Sequence, residues 1–181
     1  MQRSEMRFFK PRGLLDMLRI RRLYKEAFPK CERKPFSIIK SMAKIGRTDL
    51  WYFEDADGFA GLSATINGPD NILIDYLAVK RKRRGTGLGK KMLAMLLEHY
   101  NDYGVFLEIE EVNENAENND ERVRRKNFYL AAGLIPMDTH VKLFGVDMEL
   151  LGKDCHLTFD EYREFYLNNY GKFAYDNILK P

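Results

Sequence analysis

Apolar residues follow a helical period in three separate stretches of the chain. Between residues 14 and 27, leucines recur at three- and four-residue spacing among charged residues, and Pro29 closes the pattern. Residues 37–44 and 90–100 show the same alternation of apolar and polar faces. The pattern therefore predicts helices over 14–27, 37–44 and 90–100.

From residue 49 the pattern changes to short segments rich in aromatic and β-branched residues. Segments at 50–55, 58–66 and 71–79 are separated by Asp-Ala-Asp-Gly and Asn-Gly-Pro-Asp, which are typical turn sequences. A further segment at 105–112 alternates, so that Glu108 and Glu110 share one face of a strand. The sequence predicts four strands here, the first three joined by hairpin turns.

The rest of the chain adds helices and a closing hairpin. Asn118 and Glu121 predict an N-cap and a capping box for a helix that runs to residue 132, with Gly133 in the left-handed position after it. Residues 140–144 and 146–151 predict two strands about Gly145, and residues 158–161 predict another helix start. A strand-helix-strand unit within hairpin-joined strands predicts a mixed α/β (α+β) fold, with a mostly antiparallel central sheet flanked by helices.

Composition narrows the class of protein. The chain has 181 residues, 45% of them hydrophobic, which suits one core, so we predict a single domain over 1–181. Thirty Lys and Arg against 27 Asp and Glu leave a net charge of only +3, so nucleic acid is not the expected partner. Cys31 and Cys155 lack CxxC spacing, which favours neither a disulfide framework nor a metal site.

The expected location is the cytoplasm, because the cysteine usage suits a reducing compartment. The first ten residues lack the apolar region of a signal peptide. No window reaches the roughly 18 consecutive apolar residues of a membrane span. We therefore expect no membrane association.

The most informative stretch is a basic, glycine-rich turn between a predicted strand and a predicted helix. Seven basic residues and no acidic residue lie between positions 80 and 91, and glycines stand at 85, 87 and 89. Backbone amides at such a turn and at a helix start can converge on an anion. A P-loop does not fit, because Arg84 stands where its first glycine is needed, and the glycine spacing fails the dinucleotide fingerprint. A solvated basic loop or a nucleic-acid patch is the alternative.

The segment Arg84-x-x-Gly87-x-Gly89 resembles a signature of the GNAT superfamily of N-acetyltransferases, R/Q-x-x-G-x-G/A. The stretch from Phe128 to Leu134 resembles the family's second signature, FYxxxGF, with Leu134 in place of the usual Phe. The order of predicted elements also agrees from about residue 14 to residue 151. The resemblance implies an N-acetyltransferase that uses acetyl-CoA as co-substrate, needs no metal, and transfers the acetyl group directly to a primary amine of a small molecule or peptide.

The resemblance also implies which residues hold the co-substrate. The backbone of Leu77, Ala78 and Val79 is expected to meet the pantetheine arm and the thioester. The pyrophosphate is expected at the turn, on Arg84, Gly85, Thr86, Gly87, Leu88, Gly89 and Lys90. Because this binding is largely through the main chain, a bulky residue at Gly87 or Gly89 should matter more than a substitution at Thr86 or Leu88.

Tyr129 occupies the family position whose phenol protonates the departing CoA thiolate. For the base that deprotonates the amine, Glu108 and Glu110 are candidates, because burial beside another carboxylate would raise the pKa of one of them. Glu110 is favoured because it is expected closer to the opening of the strand pair, and Asp75 is a third candidate. A chain of water molecules could replace the base, and the two glutamates could equally form a solvated row.

One departure from the family pattern concerns the helix that carries Tyr129. Arg122 and Arg125 stand where many relatives have Asn and Ala, so the usual Asn contact to pantetheine is in doubt. The basic cluster of Arg122, Arg124, Arg125 and Lys126 could instead meet nucleotide phosphates. A solvated helix face is the favoured alternative for at least two of the four.

The acceptor is expected beside residues 32–36 and the loop over 111–120, where acidic side chains would attract a cationic amine. The three histidines are expected to be structural or surface residues. A non-catalytic module that binds acyl-CoA or a nucleotide is the alternative function, and a basic nucleic-acid-binding protein is less favoured. A homodimer is compatible with the aromatic C-terminal segment.

Overall fold

The computed structural model describes residues 5–30 and 32–181. Residues 1–4 and Cys31 lie outside the described residues. The predictions about a signal peptide and about the two cysteines rest partly on them. The elements in chain order are β1 (Arg7–Phe9), α1 (Leu14–Ala27), α2 (Phe36–Lys44), β2 (Thr48–Asp55), β3 (Gly58–Asn67), β4 (Asn71–Val79), a 3-10 turn (Arg81–Arg83), α3 (Leu88–His99), β5 (Gly104–Glu110), α4 (Asn119–Leu130), β6 (Ile135–Leu143), β7 (Val146–Lys153), α5 (Phe159–Tyr170), α6 (Lys172–Asp176) and β8 (Ile178–Leu179).

The strands are hydrogen-bonded in the order β1-β2-β3-β4-β5-β7-β6-β8. The pairing of β4 with β5 is parallel, whereas β1–β2, β2–β3, β5–β7, β6–β7 and β6–β8 are antiparallel. This mixed, mostly antiparallel sheet flanked by helices confirms the predicted fold class. Within the described residues, no helix has the length and apolar character needed to cross a bilayer.

Two compact units make up the chain. The first consists of the residues up to Asn67 together with Ile74–Leu96, and the second of Gly68–Leu73 together with Leu97–Pro181. Strand β4 contributes its first three residues to the second unit and the remaining six to the first. The single domain over 1–181 stays a prediction.

In the first unit, α1 packs on the sheet because its apolar residues recur on one face. Ile20, Leu23 and Tyr24 are almost fully buried and belong to a cluster with Tyr52 and Leu62 of the β2–β3 hairpin. Gly61 of that hairpin faces β4 so closely that a Cβ would lie 2.4 Å from the carbonyl oxygen of Ala78. Only glycine permits this approach of the two strands.

In the second unit, β5 is the central strand. It pairs with β4 in the register Asn71↔Gly104 and with β7 in the register Ile109↔Glu149. Helix α5 begins at the predicted place, with a complete capping box between Thr158 and Glu161.

Some predicted boundaries were wrong. The expected capping box of α4 is absent, because Asn118 makes no side-chain cap and its Oδ1 instead accepts from Arg122 Nε at 2.9 Å. Strand β6 begins at Ile135 rather than at 140, because an irregularity between Pro136 and His140, with Asp138 at φ 56°, interrupts the alternation that marks a strand. Strands β1 and β8 and helix α6 are too short to leave a periodic signal.

Candidate active site

The basic turn of the first unit joins the end of β4 to the start of α3. Gly85 and Gly87 have φ values of 77° and 81°, a left-handed conformation that glycine adopts without steric cost. A Cβ built on either glycine would meet no atom within 4 Å, so the space above them is open. The glycines are therefore required by the backbone conformation, and they leave room for a ligand at the turn.

The start of α3 supplies hydrogen-bond donors at the same turn. The amide of Lys91 donates to the carbonyl of Gly87 at 3.1 Å, which is the first bond of the helical ladder. The amides of Leu88, Gly89 and Lys90 come before Lys91 in the first turn of the helix. They therefore have no carbonyl acceptor within the helix. With the positive end of the helix dipole, they suit an anion such as a pyrophosphate.

The charges of the turn divide into one anchoring residue and several exposed ones. Arg83 pairs with Asp55 at 2.6 Å, and its hydrogen bonds, the largest cause, lower the pKa of that carboxyl. Arg83 therefore fastens the turn to the β2–β3 hairpin. The exposed basic residues are Lys80, Arg81, Lys82, Arg84, Lys90 and Lys91.

Internal hydrogen bonds shape the turn around the predicted co-substrate residues. Arg84 Nε donates to the carbonyl of Val79 at 3.2 Å, and Thr86 Oγ1 donates to the carbonyl of Arg83 at 2.8 Å. Along β4, Ala78 is buried while Leu77 and Val79 are half-buried. Co-substrate binding by these residues stays a prediction.

In the second unit, the favoured base Glu110 is held by two arginines of α4. Arg122 Nη2 lies 2.9 Å from one carboxylate oxygen, and Arg125 Nη1 lies 3.1 Å from the other. The sequence led us to expect a carboxylate neighbour as the dominant influence on Glu110. The structure instead gives it two guanidinium partners, which make charge-assisted hydrogen bonds to its two oxygens.

Most of the basic cluster on α4 is bound to carboxylates of the sheet. Lys126 Nζ donates to Glu149 Oε2 at 2.8 Å. Lys126 therefore contacts a carboxylate on a strand, as Arg122 and Arg125 do. Arg124 is exposed and lies 4.0 Å from Glu121. Three of the four cations thus pair with carboxylates of strands in the second unit, rather than forming a solvated face.

Glu108 has partners that the sequence did not reveal. The hydroxyls of Tyr162 and Tyr166 donate to its Oε1 at 2.7 and 2.6 Å. Both tyrosines are almost fully buried on α5. Their four-residue spacing places both tyrosines on one face of a helix, and this could be read from the sequence. Nothing in the sequence shows that this face contacts Glu108.

Tyr129 lies in the last turn of α4 and is half-buried. Burial, the largest cause, raises the pKa of its phenol, while the charge of Arg125 acts in the opposite direction. A raised pKa keeps the phenol protonated at neutral pH, as a proton donor requires. The catalytic role of Tyr129 stays a prediction.

The segment before α2 is fastened to β4. Tyr24 donates its hydroxyl proton to the carbonyl of Lys34, and the amide of Lys34 donates to the hydroxyl of Tyr76. Lys34 Nζ lies 2.6 Å from Asp75, the third candidate base. Burial raises the pKa of both tyrosines, so they remain hydrogen-bonding phenols rather than phenolates.

Two further residues, His140 and Cys155, have partners within the second unit. His140 Nδ1 lies 2.5 Å from Glu111 Oε1, at the start of the acidic loop. The half-buried thiol of Cys155 donates to Asn71 Oδ1 at 3.0 Å, and burial raises its pKa to about 11. Across residues 5–30 and 32–181, no three His, Cys, Asp or Glu side chains form a group that could hold a metal ion.

Comparison with known proteins identifies a family that the sequence matches. The family model of the acetyltransferase (GNAT) family matches residues 17–122. No curated protein matches the sequence.

Solved structures share the fold at low sequence identity. A putative acetyltransferase of the GNAT family from Bacteroides thetaiotaomicron is 19% identical, with a TM-score of 0.75 and coverage of 93% of this chain and 99% of its own. The spermidine N-acetyltransferase of Vibrio cholerae, in complex with CoA and spermine, is 13% identical, with a TM-score of 0.64 and coverage of 82% and 94%. The aminoglycoside 6'-N-acetyltransferase of Enterococcus faecium is 13% identical, with a TM-score of 0.62 and coverage of 82% and 96%.

Proposed function

Since the chain belongs to the acetyltransferase (GNAT) family, we propose that it is an N-acetyltransferase that uses acetyl-CoA and transfers the acetyl group directly to a primary amine of a small molecule or peptide. The observation that carries this proposal is the turn at residues 80–91. Its two glycines adopt φ values of 77° and 81° below open space, beside the first amides of α3 and several exposed cations. These features fit the pyrophosphate of a CoA thioester.

Acetyl-CoA supplies an activated thioester when it is bound. Arg84 and the amides of Leu88, Gly89 and Lys90 would hold its pyrophosphate by charge and hydrogen bonds. Arg83 would keep the turn in place through its ion pair with Asp55. The backbone of Leu77, Ala78 and Val79 would orient the pantetheine arm.

Tyr129 would donate its phenolic proton to the departing thiolate. The ordinary pKa of a phenol, about 10, is comparable to that of a thiol, so the transfer is energetically accessible. Burial raises the pKa of Tyr129, so the phenol carries its proton at neutral pH, as a donor must, although the rise also makes it a weaker acid.

The amine must lose its own proton before it attacks, and Glu110 and Glu108 are the candidate acceptors. Guanidinium groups of Arg122 and Arg125 contact both carboxylate oxygens of Glu110, so these oxygens are already engaged before an amine arrives. These contacts support removal of the proton through water over direct abstraction by Glu110.

Binding and turnover together test the proposal. Acetyl-CoA at 100 times its Kd should stabilise the folded protein by about 2.7 kcal/mol, seen as a rise in Tm, and a panel of primary amines should yield free CoA and the acetylated amine. No stabilisation by acetyl-CoA would overturn the proposal. Stabilisation without turnover would instead indicate a binding module, and a salt-sensitive shift of RNA or DNA without an effect of CoA would indicate a nucleic-acid-binding protein.

The proposed location is the cytoplasm. It rests on the cysteine usage of the sequence, which suits a reducing compartment. Fractionation of cells that express the tagged chain tests it, and recovery in the membrane or secreted fraction would contradict it.

A further inference from the structure

A groove of about 560 Å³ lies between helices α1 and α2 of the first unit. Its walls are two stripes of side chains, at positions 14, 17, 18, 21 and 25 of α1 and at positions 36, 37, 40, 41 and 44 of α2. Each stripe follows one face of its helix. The buried residues of the two helices, such as Leu23 and Ile39, belong to the core cluster instead. The groove is therefore a surface separate from the core.

Part of the groove is apolar. Leu14, Met17 and Leu18 line it along the first turns of α1, and Phe36 lines it at the start of α2. Leu14 and Leu18 are 75% and 48% exposed, although leucine is among the residues that proteins most often bury. A partner that covers these side chains would remove apolar surface from water, which favours binding.

The charged residues that line the groove are all cations. Arg21 and Lys25 lie on α1, Lys40 and Lys44 lie on α2, and all four are exposed. Across the described part of the chain, none of the four forms an ion pair. The two cations of each helix are four positions apart, where like charges repel. A negatively charged occupant would be attracted by both walls and would relieve this repulsion.

The placement of the cations favours an extended acidic partner over a single anionic group. Four residues of an α-helix rise about 6 Å, so the two cations on each wall are about one helical turn apart. The lining positions 14 to 25 span about 16 Å of α1, or roughly three turns. One carboxylate or phosphate could contact cations at only one point of this length. Acidic residues three or four positions apart on a helix match the spacing of the cations.

We propose that the groove between α1 and α2 binds an acidic, amphipathic helix of a partner protein. Apolar residues at i, i+3, i+4 and i+7 of that helix would cover Leu18 and Phe36. Carboxylates on the flanks of the same face would pair with Arg21 on one wall and with Lys40 on the other. This interaction does not depend on the proposed function.

A synthetic peptide serves as the probe. It has about 18 residues, with Leu at i, i+3, i+4 and i+7 and Glu on both flanks of the leucine face. The reference peptide has Gln in place of each Glu. Fluorescence anisotropy at physiological ionic strength should show that the acidic peptide binds at least about tenfold more tightly, as charged hydrogen bonds provide. Equal affinity for the two peptides, or no binding of the acidic one, would overturn the proposal.

Two neighbouring arginines of α1 give a matched comparison of charge. Arg21 lines the groove, whereas Arg22 is exposed and does not line it. Arg21→Glu should weaken binding of the acidic peptide by at least about tenfold, and so should Lys40→Glu on the other wall. Arg22→Glu makes the same change of charge and should weaken it by less than about threefold. Equal losses in Arg21→Glu and Arg22→Glu would show a general attraction of charge and contradict the groove.

Two leucines of α1 give the matched comparison of apolar contact. Leu18 lines the groove, whereas Leu15, which is 70% exposed, does not. Leu18→Ser should weaken binding of the acidic peptide by at least about fivefold, and Leu15→Ser by less than about twofold, because buried apolar surface is lost in the first variant alone. Thermal melts confirm that each variant is folded. Equal losses in the two folded variants would contradict the proposal.

Two further measurements test other occupants of the groove. Co-sedimentation with vesicles of phosphatidylcholine and phosphatidylglycerol tests a lipid surface, and analytical ultracentrifugation over a range of protein concentrations tests a second copy of the chain. We expect Arg21→Glu to behave as wild-type protein in both. Vesicle binding or self-association that Arg21→Glu abolishes would give the groove to that occupant and overturn the proposal.

Discussion

The turn at residues 80–91 and the carboxylates of β5 use charge in opposite ways. At the turn, one cation, Arg83, is bound to an aspartate, while six others are exposed beside backbone amides. On β5, Glu110 and Glu108 are held by side chains of the same unit. The turn thus presents charge to a ligand, whereas the β5 carboxylates are first fixed by the protein itself.

This difference indicates that the two regions would fail in different ways. A site built from backbone conformation is lost when a residue cannot adopt the required φ. A site built from side-chain networks is lost when one partner is removed, even a distant one. Substitutions in the two regions should therefore separate co-substrate binding from turnover and from stability.

The largest effect on affinity is expected at the turn. Gly87→Val places a β-branched residue at φ 81°, a conformation that such residues adopt only with strain, and puts a side chain into the open space. We expect the Kd for acetyl-CoA to rise at least about 100-fold, as strain of 1–3 kcal/mol adds to lost contacts. Calorimetric titration measures this rise. Thr86→Ala, the matched control, should change the Kd by less than about threefold, and an equal loss in both variants would contradict binding through the main chain.

The opposite pattern is expected for Tyr129→Phe. Loss of the phenolic proton should lower kcat by about 100-fold or more, while the Kd for acetyl-CoA stays as in wild-type protein. Steady-state rates and calorimetry on the same preparation measure both quantities. Tyr103→Phe, at an exposed position, is the control. Full activity of Tyr129→Phe would remove this residue from the mechanism.

A smaller effect, on stability, is expected on α4. Arg122→Ala removes a partner of the half-buried Glu110 and should cost about 1–2 kcal/mol of unfolding free energy. Arg124→Ala removes only an exposed pair with a separation of 4.0 Å and should cost less than about 0.5 kcal/mol. Urea denaturation measures both. Equal costs would show that the contacts of Glu110 contribute nothing beyond surface charge.

The smallest effect concerns the pH dependence of the Arg83–Asp55 pair. The pKa of Asp55 is lowered in the folded protein, so its stabilisation is present above the ordinary carboxyl pKa, near 4, and is lost as the pH falls through the lowered value. The stability difference between wild-type protein and Arg83→Met should therefore shrink on acidification. Urea denaturation between pH 6 and pH 3 (roughly the range that spans the ordinary value) measures it, and a difference that grows toward acid contradicts the pairing.

The features that were predictable from the sequence are those fixed by local geometry. Gly85 and Gly87 were recognisable because a left-handed turn between a strand and a helix favours glycine over any other residue. The start of α5 was recognisable because residues 158–161 have the composition of a helix N-terminus, and the structure places a capping box there.

The partners of the carboxylates were not predictable, because they depend on distant parts of the chain. Tyr162 and Tyr166 lie 54 and 58 positions from Glu108, and Arg125 lies 15 positions from Glu110. Strand alternation places the two glutamates on one face but does not say which elements cover that face. The expected influence of one glutamate on the other was therefore replaced by contacts from α4 and α5.

The formation of acetylated amine from acetyl-CoA tests the central claim most directly. Purified protein is incubated with acetyl-CoA and 1,4-diaminobutane, and free CoA and the acetylated diamine are quantified together by mass spectrometry. The proposed function predicts equal amounts of both products, formed in proportion to enzyme and greatly reduced in Tyr129→Phe. Release of CoA without acetylated amine, or no product with this diamine or with any amine of the panel, would contradict it.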